Sequence, residues 1–259
     1  MSIPFSLPKY TSASALIGVA LLAGAVSAKE FSSGVQATDV LELYTSEGCS
    51  SCPRADRWLS TLANKRGVFK DFVPMAFHVD YWDYLGWKDR FASAEFSQRQ
   101  RRHVVNGNTR QSYTPQFVAN SQEWSAWLSG SRQWEPRNAN VGVLKASMPE
   151  QSNTLTVSFI PQTNNWSTNA AKPKKYVLNV AVLGMGLSSD VTAGENHGVT
   201  LKHDFVVLSH QARTVAAGAS AWQLAKPQIP QRGQRNSAIA VWLSVPGSQT
   251  VVQATGGYL

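Results

Sequence analysis

Residues 39–65 read DVLELYTSEGCSSCPRADRWLSTLANK, and this stretch joins a strand, a cysteine pair and a helix. Asp39–Thr45 is rich in β-prone residues, which predicts a short strand. In Arg54–Lys65 the apolar residues recur at i, i+3, i+4, i+7 and i+8, the pattern of an amphipathic helix. The two cysteines, Cys49 and Cys52, therefore fall at a strand-to-helix junction.

The residues that follow continue the alternation of strands and helices. Phe72–Val79 and Gln116–Ala119 are predicted strands, and Ser93–Val105 is a predicted polar helix that ends at Asn106-Gly107. A strand, a helix and a second strand in this order predict a right-handed crossover and a parallel pair. The first half of the chain therefore has the pattern of an α/β unit.

The chain changes character after a predicted linker at Glu135–Asn138. No convincing amphipathic helix follows, and Pro, Gly, Asn and Ser separate short β-rich runs, which predicts an antiparallel sandwich. The polar segment 162–175 is a predicted surface loop. The predicted strands are Thr154–Ile160, Tyr176–Leu183, Phe205–Leu208, Ala238–Val245 and Thr250–Gln253.

Residues 1–28 have the pattern of a secretory signal peptide. Lys9 supplies a positive charge, Ala13–Val26 is apolar, and small residues at Val26 and Ala28 fit cleavage after Ala28. The apolar run is shorter than the roughly 20 residues that cross a bilayer. We therefore predict a periplasmic or secreted protein without a stable membrane span after cleavage.

Composition excludes several classes of protein. Of the 259 residues 43% are hydrophobic, too many for a disordered chain, and two cysteines are too few for a disulfide-stapled scaffold. The net charge of +8 comes from scattered basic residues, so we expect solvated surface charge and no nucleic-acid partner. The sequence contains no Gly-x-Ser-x-Gly hydrolase motif and no Gly-rich phosphate loop.

The Cys-x-x-Cys pair carries most of the functional argument. Helix N-termini present free N–H groups and a partial positive charge, and both stabilise a thiolate. Cys49 is the predicted nucleophile toward a target disulfide, Cys52 is the predicted resolving thiol, and Pro53 suits the first helical turn. An inert disulfide is the first alternative, although so short a loop gains only about 2 kcal/mol from the cross-link.

A metal site is the second alternative, in which two thiolates and His78 or His103 bind a soft ion. A closed zinc site is not expected because the chain has no second cysteine pair. We assign no metal ligands and no cofactor.

A second motif, Tyr113–Gln116, follows the cysteine pair by about sixty residues. In a thioredoxin-like fold, a cis proline at such a position faces the cysteine pair and leaves the preceding backbone free to pair with a substrate strand. Thr114 and Pro115 are therefore the predicted substrate-binding residues. The open alternative is an ordinary trans proline at the start of a strand, since only about 5–6% of X–Pro bonds are cis.

Four motifs of the chain resemble a family of secreted proteins, domain of unknown function 1223. The resemblance implies an α/β thioredoxin-like N-terminal domain at 37–135, followed by an all-β, antiparallel sandwich-like C-terminal domain at 138–259. Gly48 and Ser50-Ser51 depart from familiar thioredoxins, which have Trp before the first Cys and Gly-Pro between the two. The motifs are Leu43–Asp56, Ala76–Asp89, Tyr113–Gln116 and Gly194–Asn196.

Three other features have local interpretations. The aromatic and acidic run 78–89 either packs as a small satellite core, the favoured interpretation, or forms a polar site beside the cysteines. His103, next to two arginines, is interpreted as part of a solvated helix face, and a contact for an acidic substrate is the alternative. Glu195–His197 is interpreted as a turn in a loop bounded by glycines.

The sequence leads to one main functional hypothesis and two alternatives. The main one is an exported thiol–disulfide oxidoreductase that acts on a thiol- or disulfide-bearing protein or on a small thiol. The first alternative is a binding module without turnover, in which the β-rich half recognises a partner. The second is a periplasmic metal carrier that uses both thiolates.

Overall fold

The structure is a computed structural model that describes residues 1–3, 27–162 and 173–259. Most of the predicted signal segment 1–28 and of the predicted loop 162–175 therefore lies outside the described residues, namely residues 4–26 and 163–172. The described part contains two α-helices, of 10 and 12 residues, and neither meets the length needed to cross a membrane.

Strands dominate the order of the elements. In the first half they are β1 (Ala28–Ser32), β2 (Asp39–Thr45), α1 (Cys52–Thr61), β3 (Phe72–His78), α2 (Ala94–Val105), β4 (Gln116–Ala119) and β5 (Gln122–Glu123). Short 3₁₀ turns occupy Leu62–Asn64, Asp83–Leu85 and Ser125–Trp127. The second half contains β6 (Gly142–Pro149), β7 (Thr154–Pro161), β8 (Lys175–Met185), β9 (Leu187–Asp190), β10 (Thr200–His203), β11 (Val206–Ala216), β12 (Trp222–Ala225), β13 (Asn236–Ser244) and β14 (Val251–Tyr258).

One eight-stranded mixed sheet runs through both halves of the chain, in the order β14-β13-β8-β11-β3-β2-β4-β5. Strands β2 and β3 are parallel, as predicted, and β4 is antiparallel to β2. Strand β11 lies beside β3 with Val206 opposite Ala76, and the N–H of Ala76 donates to the carbonyl of Phe205 at 2.8 Å. Strands from before and after the predicted linker therefore share one hydrogen-bonded ladder.

The predicted fold class is wrong. Of the described residues 42% lie in strands and 14% in helices, and residues 37–135 do not form an α/β thioredoxin-like N-terminal domain. The physical reason is that β3 is not a sheet edge, because a strand from the second half occupies its free side. The boundaries 37–135 and 138–259 stay a prediction about folding units.

A second sheet packs on one face of the large one. It is antiparallel, in the order β1-β6-β7-β12, and encloses an apolar core with β8 and β13. Along β13 the side chains alternate between this core and the core on the other face. Each such Ile, Val or Leu side chain stabilises the fold by about 1.5–3 kcal/mol when fully buried. Those facing the second sheet are Ile239, Val241 and Leu243.

Helix α1 packs on the opposite face of the large sheet. Its predicted apolar stripe is buried, since Ala55, Leu59 and the following Leu62 are fully inaccessible. Trp58 packs edge-on against Phe117 of β4, with ring centroids 5.1 Å apart. Helix α2 begins after Ser93, whose hydroxyl accepts from the N–H of Glu95. This packing places the start of α1 at the end of the central strands.

Candidate functional site

Cys49 and Cys52 are joined in a disulfide that closes the turn between β2 and α1. The N–H of Cys49 donates to the carbonyl of Ser46, and the N–H of Cys52 donates to that of Cys49, each at 3.2 Å. Helix α1 begins at Cys52, two residues before its predicted start, and Pro53 occupies its first turn. The pair therefore lies where a helix terminus stabilises a thiolate.

A loop between β9 and β10, residues 191–199, covers the disulfide, and we call it the cap loop. The amide Nδ2 of Asn196 donates to the carbonyls of Glu47 and Cys49, at 2.8 and 3.0 Å. The N–H of Ser50 donates to the carboxylate of Glu195 at 2.8 Å. Only 1% of Cys49 is exposed and Cys52 is fully buried, and the cap loop is hydrogen-bonded to the turn between them. We therefore expect the cap loop to move before a reactant reaches either sulfur.

Replacing Asn196 with alanine is expected to make the disulfide react faster with a small thiol. The substitution removes both hydrogen bonds that hold the cap loop to the Cys-x-x-Cys turn, each worth about 1 kcal/mol. We expect the rate of reduction by dithiothreitol to rise about tenfold or more. The matched control is His197→Ala, a change at the exposed neighbour in the same loop, which should leave the rate unchanged. An Asn196→Ala rate equal to wild type would show that the cap loop does not limit access.

An open cleft of about 730 Å³ lies beside the disulfide turn. The turn contributes Ser50, Ser51 and Pro53 to its lining, and the predicted substrate-binding residues Thr114 and Pro115 line it as well. The Thr114–Pro115 peptide bond is cis. The structure therefore brings both predicted site motifs to one surface. The remaining lining residues are Arg54, Arg57, Tyr113, Trp127, Leu128, Asn196 and Val199.

Gly48 is closely packed between the turn and Trp82. A Cβ atom added at Gly48 would lie 2.9 Å from the Cβ of Trp82 and 3.3 Å from its carbonyl oxygen. The indole Nε1 of Trp82 donates to the hydroxyl of Thr114 at 2.8 Å. The glycine at this position, a departure from thioredoxins, therefore lets Trp82 link the two motifs of the cleft.

Behind the disulfide, five ionisable side chains form a buried cluster, which we define as Glu47, Asp56, His78, Asp89 and His203. The Nδ1 atom of His78 lies 2.7 Å from a carboxylate oxygen of Asp89. The Nε2 atom of His203 lies 3.3 Å from Glu47, and its Nδ1 atom lies 3.9 Å from Asp56. All five residues are at most 4% exposed, so water screens these contacts little.

Neighbouring charges set the protonation of the buried cluster. Burial disfavours a charged His78, but Asp89 outweighs that effect and raises the pKa of His78 to about 9. Burial raises the pKa of Asp56 above its ordinary value, despite the nearby histidines. For Asp89, burial is outweighed by the charge and hydrogen bond of His78, and its pKa is lowered.

The run 78–89 contributes both polar and aromatic groups. His78 and Asp89 pair in the buried cluster, and the indole of Trp87 donates to the carboxylate of Glu47 at 2.9 Å. Tyr84 is 78% exposed, so the favoured interpretation as a satellite core is wrong for that residue. The polar interpretation describes His78 and Asp89 better.

A second buried network lies away from the disulfide. Arg99 donates two hydrogen bonds to the carboxylate of Glu42, at 2.6 and 2.9 Å. The hydroxyl of Tyr44 donates to the same carboxylate at 2.6 Å. His103 is fully buried, with Nε2 3.3 Å from Glu42, so its interpretation as part of a solvated helix face is wrong. His103 contacts Glu42 and Asn108 and is not a member of the buried cluster.

Comparison with known proteins identifies the family. The sequence profile described as protein of unknown function (DUF1223) matches residues 40–244. The chain belongs to this family. The resemblance seen in the four sequence motifs is therefore confirmed. No curated protein is significantly similar to this DUF1223 chain in sequence.

Two solved structures share the fold of this DUF1223 chain. A crystal structure of a protein from Agrobacterium tumefaciens, a structural-genomics target, is 22% identical, with a TM-score of 0.57 over 85% of this chain and 94% of that one. HBP35 of Porphyromonas gingivalis is 12% identical, with a TM-score of 0.50 over 86% of this chain and 76% of that one. Identities this low support the fold alone.

Three residues around the disulfide of this DUF1223 chain were not predicted as site residues from the sequence. Asn196 was assigned to a family motif and interpreted as part of a turn, and no contact with the Cys-x-x-Cys turn was predicted for it. Asp56 had a visible signal, since it lies four residues after Cys52 and three before Leu59, on the apolar face of the helix. The signal for His203 is weaker: it lies two residues after Leu201 in a short strand, so the two side chains share the buried face.

Proposed function

We propose that the chain catalyses thiol–disulfide exchange through Cys49 and Cys52. The observation that carries this proposal is the position of the pair, at a helix N-terminus and beside a cleft that also contains Thr114 and Pro115. Cys49 is the nucleophile and Cys52 the resolving thiol, since the helix terminus stabilises the thiolate that exchange requires.

The reaction transfers two electrons between two pairs of sulfurs. In the reducing direction, the Cys49 thiolate attacks a substrate disulfide, and one substrate sulfur leaves as a thiolate that takes up a proton. The Cys52 thiol then loses its proton and attacks Cys49, which releases the second substrate thiolate and forms the Cys49–Cys52 disulfide. The oxidising direction is the reverse. In both directions the substrate is a thiol- or disulfide-bearing protein or a small thiol.

The shape and charge of the cleft suit an extended peptide around the reacting cysteine. Its volume of about 730 Å³ lies within the usual range for ligand sites, roughly 300–1,000 Å³. Arg54 and Arg57 are exposed on its α1 side, and the guanidinium of Arg54 lies 5.7 Å from the ring centroid of Trp127. We propose that acidic and aromatic residues near the reacting cysteine strengthen binding.

Export to the periplasm or the medium is part of the proposal. The sequence pattern of residues 1–28 supports it, and disulfides persist in oxidising compartments. Protein recovered from the exported fraction should have an intact mass that lacks the signal residues. Full-length protein retained in the cytosol would contradict export.

The Cys52→Ser variant tests the proposed roles of the two cysteines. Without its resolving thiol, the variant should accumulate a mixed disulfide between Cys49 and a disulfide-bonded substrate such as native insulin. The matched Cys49→Ser variant should form far less adduct. Mass spectrometry under non-reducing conditions measures both. Absence of an adduct in Cys52→Ser would contradict catalysis, and an equal adduct in Cys49→Ser would contradict the assignment of roles.

A binding module without turnover is the second candidate function. The observation that favours it is the burial of both cysteines beneath the cap loop, next to a cleft that stays open. In that case the disulfide would only hold the turn, and the cleft would bind a peptide in both redox states. Equal peptide affinity in wild type and a double serine variant, together with no exchange, would support this candidate.

A further inference from the structure

Three members of the buried cluster are arranged like a metal-binding set. Ligand atoms of Asp56, His78 and His203 all lie within 4.8 Å of one another, and the three residues are at most 4% exposed. They come from α1, the end of β3 and the end of β10, so the fold holds them from three sides.

Several ring nitrogens of the two histidines are buried without a hydrogen-bond partner among the described residues. In His78 the Nδ1 atom contacts Asp89, and Nε2 has no hydrogen-bond partner among the described residues. In His203 the Nε2 atom lies 3.3 Å from Glu47 and the Nδ1 atom lies 3.9 Å from Asp56, and neither nitrogen has a hydrogen bond to any described group. A buried nitrogen without a partner is costly. A metal ion would satisfy both Nε2 of His78 and Nδ1 of His203.

The outer carboxylates complete the pattern. Histidines that bind metals almost always present their other ring nitrogen to a carboxylate, a carbonyl or water, which fixes the tautomer. Asp89 occupies this position for His78 at 2.7 Å, and Glu47 is the carboxylate beside His203, 3.3 Å from its Nε2 atom. Asp89 is itself held by the backbone N–H groups of Glu47 and Phe91, both at 2.9 Å. Such support is expected around metal ligands.

We propose that Asp56, His78 and His203 bind one divalent transition-metal ion, such as Zn²⁺, behind the disulfide. Two imidazoles and one carboxylate are a ligand set suited to Zn²⁺, Fe²⁺ or Mn²⁺, and they lack the sulfur that Cu⁺ prefers. This site is distinct from the thiolate site considered for the cysteines. The proposal of metal binding here does not depend on the proposal of disulfide exchange.

The geometry needs only small adjustments. Metal–ligand bonds of about 2.0–2.2 Å place the ligand atoms of a tetrahedral site roughly 3.3–3.6 Å apart. The present separations are up to 4.8 Å. We expect rotation of the side chains to shorten them to that range. A cavity of about 140 Å³ that is lined by Asp56 and His203, together with Pro53 and Leu201, gives access from the surface. Its volume also accommodates a water as the fourth ligand.

Competition binding on the full chain tests the proposal. The protein is stripped with a chelator while its disulfide stays oxidised, and it is then titrated with Zn²⁺ against a chromophoric chelator. We expect one Zn²⁺ per chain. Affinity should fall at least about 100-fold in His203→Ala and in the isosteric Asp56→Asn, and about 10–100-fold in Glu47→Gln. The exposed His197→Ala is the control, with unchanged affinity.

Spectroscopy of the wild type keeps the test independent of variants that fail to fold. X-ray absorption of the Zn²⁺ complex should show nitrogen and oxygen ligands with imidazole scattering and no sulfur. A double serine variant at Cys49 and Cys52, which loses disulfide exchange, should keep full affinity. Folded wild type that binds no Zn²⁺, sulfur in the first coordination sphere, or unchanged affinity in Asp56→Asn and His203→Ala would overturn the proposal.

Discussion

Replacing Cys49 with serine is expected to reduce thiol–disulfide exchange at least about a thousandfold, to the background rate. A serine hydroxyl is not ionised at neutral pH, and it cannot form or leave a disulfide, so the variant has no route to the mixed disulfide. The assay is reduction of insulin by dithiothreitol, or oxidation of a reduced peptide, in the presence of wild type or variant. We expect acceleration by wild type only.

The control for this variant is Ala216→Ser, which introduces the same side chain at an exposed position of β11 outside the cleft. It should retain wild-type activity. Far-ultraviolet circular dichroism should show that Cys49→Ser remains folded, because so short a disulfide loop stabilises little. Equal exchange activity in wild type and Cys49→Ser would contradict the proposed catalysis.

Replacing Glu42 with glutamine is expected to cost about 3–5 kcal/mol of unfolding free energy. The substitution keeps the side-chain volume but leaves the guanidinium of Arg99 buried without a counter-ion. Burial favours the neutral acid at Glu42, but the charges of Arg99 and His103 outweigh it and hold the pKa of Glu42 well below its usual range. Glu42 is therefore ionised at neutral pH, and its removal breaks a charged network.

Urea unfolding at pH 7 measures this loss. The matched control is Glu95→Gln, which changes a carboxylate that lies 3.1 Å from His210 but whose side chain is 54% exposed. A solvent-screened pair contributes at most about 1 kcal/mol, so the control should lose far less stability. Similar losses in both variants would contradict the importance of burial in the Glu42 network.

The pKa of Glu42 also gives the direction of a pH effect. A carboxylate whose native pKa is lowered stabilises the fold above its unfolded pKa, and that contribution is lost as the pH falls. Part of the stability of wild type should therefore disappear as the pH falls below about 4.5, the usual pKa of the group. Glu42→Gln should lack this component.

Much of the local structure could be predicted from the sequence. The period of apolar residues gave helix α1, and Ser93 and Asn106 marked the ends of α2. The parallel pairing of β2 and β3 followed from a strand, a helix and a strand in that order. These features depend on residues close together in the chain, so a local pattern contains them.

The sheet as a whole could not be predicted, because its decisive contact joins distant residues. Ala76 and Val206 are paired across two neighbouring strands. Backbone hydrogen bonds hold such a pair together, and they do not depend on the type of either side chain. The buried cluster could not be predicted for the same reason. His203 contacts Glu47 and Asp56, which are about 150 residues away in the sequence, because β10 packs against α1. A single sequence shows a histidine in a short strand and cannot show what it faces.

Two motifs of the cleft could be predicted from the sequence. The Cys-x-x-Cys turn and Thr114–Pro115 each had a chemical rationale of their own, and the structure lines one surface with both. The cap loop was not expected, because Asn196 acts through its amide on backbone carbonyls that any sequence would supply. Its effect on access to the sulfurs is a tertiary property.

The equilibrium reduction potential of the Cys49–Cys52 pair tests the central claim most directly. Equilibration with glutathione or dithiothreitol buffers, followed by thiol alkylation and mass spectrometry, gives the value. We predict a potential between about −270 and −120 mV, the range of disulfides that exchange with substrates. A potential below about −300 mV, typical of structural disulfides, would contradict the account.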